Sequence, residues 1–150
     1  MRVTIQRVSE ASVIINKVVA GEIRRGLLVL IGIENEDTFE DINWLTSKIS
    51  NLRIFPDENA SMNKSVMDVC GDIIVVSQFT LFAKTKKGNR PSFTQSGEPH
   101  FAKKMYKEFI IDLEKKTGKK IATGKFGAEM KISLVNEGPV TINIDTKNKE

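Results

Sequence analysis

The sequence predicts an α+β fold in which mostly antiparallel strands are covered on one side by two amphipathic helices. Three observations favour it: strand-like alternation over the first 35 residues, two apolar stripes with helical spacing, and β-rich segments near the C-terminal end. The 150 residues, of which 40% are hydrophobic, can form one good core but not two ordinary ones. We therefore expect a single domain over residues 1–150.

The first 35 residues have the pattern of β-strands. Apolar and polar residues alternate around Val3 and again around Val13. Asn16 and Lys17 can turn the chain into a second strand. The apolar run Leu27–Ile31 follows Gly26 and predicts a strand that is buried on both faces.

A first helix is predicted from residue 37 onward. Asp37 is the expected N-cap, and Glu40 would complete a capping box. Spacings of three, four and three residues place one apolar stripe on this helix: Ile42, Leu45, Ile49 and Leu52. The polar segment 56–64 then predicts a loop.

The second half alternates between strand, loop and helix. Residues 73–76 predict a short strand that leads into Ser77–Leu81, and residues 84–97 predict an exposed basic loop. A second helix is expected to begin at Pro99 and end at Gly118, because Pro suits a first turn and Gly suits a C-terminus.

Two further strands are predicted near the C-terminal end, over Lys131–Val135 and Val140–Ile144. The segment Asn136–Pro139 between them has the composition of a tight turn. It predicts a hairpin, and residues 147–150 follow as a polar tail.

Several classes of protein are excluded by simple counts. The longest apolar stretch, Leu27–Ile33, is far shorter than the 20 or so residues that span a membrane, and residues 1–7 do not resemble a signal peptide. One cysteine, Cys70, cannot form an intrachain disulfide, so a cytoplasmic location is the default. With His100 as the one histidine, we expect catalysis that uses neither imidazole nor a bound metal.

The charge is mildly basic and suits a polyanionic partner without requiring one. Lysine and arginine number 23 against 19 acidic residues, which gives a net charge of +4. The predicted basic loop holds four cations: Lys84, Lys86, Lys87 and Arg90. Such a loop is either a solvated surface segment or a contact for RNA phosphates.

Two polar segments are candidates for chemistry. Ser77–Leu81 places hydroxyls and a carboxamide after an apolar strand, which is either an ordinary strand end or a site whose hydroxyl and N–H groups bind an oxyanion. Thr80 is a poor nucleophile there, because no base is adjacent. In Asn136–Thr141, the Gly138–Pro139 bond is a candidate for the cis form, and glycine allows a ligand to approach the backbone.

Together these two segments resemble the signature motifs of the D-aminoacyl-tRNA deacylase (DTD) family, and the resemblance runs essentially from end to end. Further segments with the family pattern are Val3–Val8, Ala11–Val13, Gly26–Leu30, Asn51–Phe55, Lys64–Asp68, Lys87–Pro91 and Gly124–Ala128. The resemblance implies a compact, barrel-like α+β fold and a homodimer. It also implies hydrolysis of the ester that joins a D-amino acid, or glycine mischarged on tRNA-Ala, to the terminal adenosine of tRNA. It implies no cofactor, no metal and no membrane.

The resemblance also implies roles for single residues. Gly138 and Pro139 would enter the partner subunit's pocket in the cis form, where their carbonyls would hold the substrate's α-amino group and their backbone would exclude L side chains. Arg7 and Phe126 would lie near the pocket.

The floor of that pocket would consist of four residues: Ser77, Gln78, Phe79 and Thr80. Their backbone N–H groups would stabilise the oxyanion. Thr80 is the family's candidate nucleophile, but a ribose 2′-hydroxyl of the substrate could activate water instead. The basic loop is the expected tRNA contact, on charge alone.

Three other interpretations stay open at this point. The chain could be a non-enzymatic RNA-binding module, a hydrolase that attacks another ester through Thr80, or a structural dimerisation protein. Turnover of aminoacyl-tRNA would distinguish the first from a deacylase, and stereochemical preference would distinguish the last.

Overall fold

Strand β1 is the organising element of the sheet. The computed structural model describes residues 1–149, which form eight strands, two α-helices and one 3-10 turn. The strands are β1 (Arg2–Ile15), β2 (Val18–Ile23), β3 (Gly26–Gly32), β4 (Phe55–Pro56), β5 (Met62–Lys64), β6 (Asp72–Ser77), β7 (Ala122–Thr123) and β8 (Lys131–Asp145). The helices are α1 (Phe39–Asn51) and α2 (Pro99–Thr117), and the 3-10 turn is Phe79–Phe82.

The main sheet is mixed. Its order is β2-β1-β3-β6-β7, and β8 also pairs with β1. Strand β1 is antiparallel to β2, β3 and β8, whereas β6 is parallel to both β3 and β7. Strand β3 lies inside the sheet with both faces covered, as its continuous apolar sequence predicts.

The sheet curls until it resembles a barrel. On one face, the helices cover a core that includes Leu27, Leu45 and Phe109. On the other face, Val13 of β1 packs with Leu28 and Ile74, so the second half of β1 folds across the sheet. The α+β class and the two covering helices are therefore as the sequence predicts.

The hairpin predicted at Asn136–Pro139 is wrong. Residues 131–145 form one strand of 15 residues that is antiparallel to β1 throughout. The register between β1 and β8 shifts on both sides of Val8, so Gly138 and Pro139 lie in an irregular part of a continuous strand. Strand β1 is long enough to pair on both sides of this irregularity, and the chain has no need to reverse.

Helix α1 begins one residue later than predicted. Thr38 is its N-cap, and the Asp41 carboxylate accepts the Thr38 backbone N–H at 2.8 Å. Asp37 instead accepts the backbone N–H of Glu34 at 2.8 Å and pairs with the amino group of Met1. Helix α2 begins at Pro99 and is followed by Gly118 with φ of 65°, which confirms both predicted boundaries.

The segment 56–64 is more ordered than a loop, because β4 and β5 pair in a small antiparallel hairpin. Its turn is held by the Asp57 carboxylate, which accepts the backbone N–H groups of Asn59 and Ser61. Neither helix in the described residues is long and apolar enough to cross a membrane.

Candidate active site

A groove of about 640 Å³ opens where the parallel strands β3 and β6 end. The last residues of both strands line it, together with the first turn of α2 and residues 93–97. Residues 126–132 form its remaining side. Most of these side chains are apolar, and polar groups are concentrated at Ser77, Gln78 and Ser96.

The strand-to-turn junction supplies backbone donors beside this groove. The Gln78 N–H donates to the Ile31 carbonyl at 2.7 Å, and the 3-10 turn begins immediately afterwards. The Leu81 N–H donates back to the Gln78 carbonyl at 3.3 Å. A 3-10 turn leaves its first two N–H groups, here those of Phe79 and Thr80, with no acceptor inside the turn. Such adjacent donors suit an oxyanion.

Thr80 lies at the edge of this arrangement. Its side chain is exposed and is not among the described residues that line the groove. The Thr80 hydroxyl accepts a hydrogen bond from the Gln78 side-chain amide. Over residues 1–149, it has no hydrogen bond to a histidine or carboxylate that could act as its base.

One wall of the groove is built on Phe79. This side chain is 58% exposed, and its ring meets that of Phe93 edge-on with centroids 5.1 Å apart. The Ser96 hydroxyl donates to the Phe79 carbonyl at 3.0 Å, and the Gly97 N–H donates to the Ile33 carbonyl at 2.8 Å. The first bond fixes the end of the basic loop to the 3-10 turn, and the second fixes it beside the end of β3.

Phe126 lines the opposite side and rests on the core. Its ring centroid is 5.8 Å from that of Tyr106 in α2. The Tyr106 hydroxyl donates to the Val75 carbonyl at 2.8 Å. Burial raises the pKa of the Tyr106 phenol, which therefore stays a neutral donor at physiological pH.

Arg7 and Gly138 form a second cluster. The Arg7 side chain is buried, and its Nε donates to the Glu137 carbonyl at 3.0 Å. Its Nη1 donates to the Ile54 carbonyl at 2.6 Å. The Gly138–Pro139 peptide bond is cis, and Gly138 has a φ of 128° that favours glycine. The guanidinium therefore fixes the backbone that leads into Gly138.

The two clusters lie at opposite ends of β3. Arg7 pairs with Leu27, whereas Ser77 pairs with Ile31. Four residues along a strand correspond to roughly 13 Å, and the clusters are also on different strands. Within one chain, the structure thus brings Ser77, Gln78, Phe79 and Phe126 around one groove and places the Arg7 cluster elsewhere.

The predicted basic loop is exposed and leads directly to the groove. Lys84 and Ser92 exchange backbone hydrogen bonds of 2.8 and 3.1 Å, which close the loop at its base. Its cations, Lys84, Lys86, Lys87 and Arg90, form no ion pair with any residue that the structure describes.

Sequence reasoning missed several parts of the groove. Phe93 belongs to the groove through its ring contact with Phe79, which depends on how the basic loop folds back. Ala102 is a buried residue of α2 that also lines the groove. The sequence predicts Pro99 only as the start of a helix, and in the structure it also lines the groove. These residues could have been predicted only by knowing that α2 begins beside the end of β3 in the folded chain.

The histidine and the cysteine do not enter the site. His100 is exposed in the first turn of α2 and is not a groove-lining residue among those described. Cys70 is exposed and has a φ of 51°. Over residues 1–149, no cluster of three or more His, Cys, Asp or Glu side chains could hold a metal ion.

The sequence of this chain is similar to those of known proteins along its whole length. The profile of the D-Tyr-tRNA(Tyr) deacylase family matches residues 4–145. The chain is 60% identical to the D-aminoacyl-tRNA deacylase of Flavobacterium psychrophilum and 62% identical to that of Flavobacterium johnsoniae, over all 150 residues and the full length of each relative.

Two solved structures share the fold of this chain. A structure described as c-Myc DNA Unwinding Element Binding Protein is 41% identical, with a TM-score of 0.91 over 97% of this chain and 98% of that one. A probable eukaryotic D-amino acid tRNA deacylase shares the fold at 19% identity, with a TM-score of 0.81 over 95% of this chain and 98% of that one. By sequence along its whole length, this chain belongs to the D-Tyr-tRNA(Tyr) deacylase family.

Proposed function

We propose that this chain hydrolyses the ester bond of D-aminoacyl-tRNA and releases free tRNA and the D-amino acid. Glycyl-tRNA mischarged on tRNA-Ala is a second substrate in this proposal. The activity is translation quality control in the cytoplasm. The observation that carries it is the groove beside the 3-10 turn, where two adjacent backbone N–H groups begin the turn, in a chain of this family.

In this reaction, water attacks the ester carbonyl and the tetrahedral oxyanion accepts hydrogen bonds from the Phe79 and Thr80 N–H groups. The ribose 2′-hydroxyl of the substrate assists the attacking water. The bond to the ribose 3′-oxygen then breaks, and that oxygen takes the proton that the attacking water has lost. The isolated position of the Thr80 hydroxyl supports a water mechanism over an acyl-threonine intermediate.

The proposed active form is a homodimer. The cluster of Arg7 and Gly138 lies level with the start of β3, whereas the groove lies at its end, so Gly138 does not reach the groove of its own chain. In the proposal, a second copy supplies Gly138 and Pro139 to the groove, and their backbone carbonyls accept hydrogen bonds from the substrate's α-ammonium. An L side chain would then collide with this backbone, whereas a D side chain or a hydrogen atom would not.

The proposed tRNA contact at the basic loop rests on position and charge. The loop's four unpaired cations precede Phe93, which lines the groove. They could hold phosphates while the terminal adenosine occupies the groove.

The deciding experiment incubates the purified protein with matched D-tyrosyl-tRNA and L-tyrosyl-tRNA in the presence of EDTA. Rapid loss of the D ester alone is the expected result, and it would establish both the stereochemistry and independence from metal. Equal loss of both esters would contradict the role given to Gly138 and Pro139. A protein that binds and protects both esters would be an RNA-binding module.

A further inference from the structure

Helix α2 carries a row of lysines that no part of the proposed reaction uses. Lys103, Lys104 and Lys107 lie on its exposed face, opposite the buried residues Tyr106 and Phe109. We call Lys103, Lys104 and Lys107 the lysine row. Because one helical turn is about 5.4 Å, the row occupies little more than one turn.

The lysine row begins one residue after the part of α2 that lines the groove. Pro99 and Ala102, in the first turn of α2, line the groove, and Lys103 is the next residue. The basic loop leaves the groove from another wall, through Phe93. The groove-lining residues from Phe93 to Ala102 are therefore preceded along the chain by the basic loop and followed by the lysine row.

The cations of the lysine row are available to a ligand. None of the three forms an ion pair with any residue that the structure describes, although Glu108 lies on the flank of the same helix. By contrast, Lys116, about two and a half turns beyond Lys107, pairs with Asp112 at 2.7 Å.

The position of these lysines does not serve the helix itself. They lie beyond the first turn of α2, where the partial positive charge of the helix N-terminus has little effect on them. None of them pairs with an acidic residue of the same helix. Their charge is therefore left for an external anion.

We propose that the lysine row binds phosphates of the tRNA acceptor end and holds the ester-bearing terminus in the groove. This inference rests on the proposed function for the identity of the RNA. Lys103 and Lys107 are one turn apart, about 6 Å along the helix axis, and this spacing is comparable with that of successive phosphates on one strand. The row thus adds a second phosphate contact to the basic loop.

The test uses two matched double variants of the full-length protein. Lys103→Gln/Lys107→Gln removes two charges from the row. Lys115→Gln/Lys120→Gln removes two exposed charges, one in the last turn of α2 and one just beyond its end, and it is the control for net charge. Glutamine has nearly the helix propensity of lysine, so we expect both variants to fold with unchanged thermal midpoints.

The first measurement is binding to uncharged tRNA and to an acceptor-stem hairpin over a range of salt concentrations. We expect the row variant to bind RNA roughly tenfold more weakly at 100 mM salt. Its slope of log K against log salt, which is negative, should become shallower by about 1.5 to 2. The far-end variant should keep the wild-type slope. Equal slopes for all three proteins, or an equal effect of both variants, would overturn the inference.

A second measurement separates this inference from the proposed function. Hydrolysis of D-tyrosyl-adenosine, which has no phosphate, should be the same for the row variant as for the wild type, while KM for D-tyrosyl-tRNA rises. Loss of activity on both substrates would assign the row a role other than phosphate binding. If the wild-type protein cleaves neither substrate, the proposed function fails, and the binding slopes still decide whether the row contacts RNA.

Discussion

A β-carbon placed on Gly138 would lie 2.7 Å from Nη2 of Arg7, which is closer than such atoms approach in proteins. The buried guanidinium therefore lies directly against the glycine, while its other nitrogens donate to the carbonyls of Glu137 and Ile54. Each residue limits what the other position can hold.

Gly138→Ala should therefore be harmful in two ways. The φ of 128° is unfavourable for alanine, and the new methyl group would displace Arg7. We expect a loss of stability of about 1–3 kcal/mol by denaturant unfolding, with a large loss of D-tyrosyl-tRNA hydrolysis. The control is Gly118→Ala, which has a φ of 65° but nothing within 4 Å of the added methyl group. Equal destabilisation of both variants would show that the Arg7 contact is unimportant.

Arg7→Lys should also destabilise the protein, although it keeps the charge. A lysine ammonium cannot reproduce the planar fork that serves the carbonyls of Glu137 and Ile54 together, so one buried carbonyl loses its partner. The expected cost is about 1–3 kcal/mol. Arg2→Lys is the control, because Arg2 is partly exposed and bonds Asp145 near the surface. Comparable thermal midpoints for the two variants would contradict the role given to Arg7.

The fold could be predicted wherever local pattern decides the structure. The apolar run of β3 and the start and end of α2 follow from periodicity, Pro99 and Gly118. Both ends of β8 were predicted as strands, but their continuity was not, because Gly-Pro is typical of turns and only the length of β1 makes a continuous strand possible. The N-cap of α1 was misplaced because Asp37 and Thr38 are both good caps.

The candidate site was predicted in its parts but not in its arrangement. Ser77–Phe79 and Phe126 are distant in sequence and share a groove only because the sheet curls. Phe93 belongs to the groove through one ring contact that no local pattern encodes. The separation of Gly138 from the groove depends on strand register, which is a property of the whole sheet.

Thr80→Ala should reduce activity without abolishing it. The Thr80 hydroxyl bonds the Gln78 amide and has no base beside it, so we expect it to order the turn rather than attack the ester. The predicted result is a raised KM with kcat within about tenfold of wild type. Mass spectrometry of rapidly quenched reactions should find no acyl group on Thr80. A trapped acyl ester there would establish it as the nucleophile.

Asp41 should make the fold sensitive to acid. Burial alone would raise the pKa of the Asp41 carboxyl, but hydrogen bonds from Lys147, Thr146 and Thr38 outweigh it and hold the pKa well below its usual range. A folded-state pKa below the unfolded value of about 3.9 gives stability that is complete above that pH. This stability is lost as the pH falls further, through the folded-state pKa.

Thermal midpoints measured from pH 7 to pH 2 test this prediction. Asp41→Asn should lower the midpoint at pH 7, and its difference from wild type should shrink below about pH 4. Glu40→Gln, one residue earlier on the exposed side of the same turn, is the control and should follow the wild-type curve. A constant difference at every pH would mean that the Asp41 charge does not stabilise the fold.

Phe93→Leu tests whether the end of the basic loop shapes the groove. Leucine keeps an apolar side chain but loses the edge-on contact with the Phe79 ring, which is worth about 0.5–1.5 kcal/mol in such pairs. If that contact orders the groove wall, KM for D-tyrosyl-tRNA and for D-tyrosyl-adenosine should rise together, by roughly two- to tenfold. Phe39→Leu is the control, because Phe39 is exposed at the start of α1 and lines no part of the groove in the described residues. A rise in KM for the tRNA substrate alone would instead place Phe93 with the phosphate-binding loop. Unchanged KM for both substrates would show that Phe79 holds its position without Phe93.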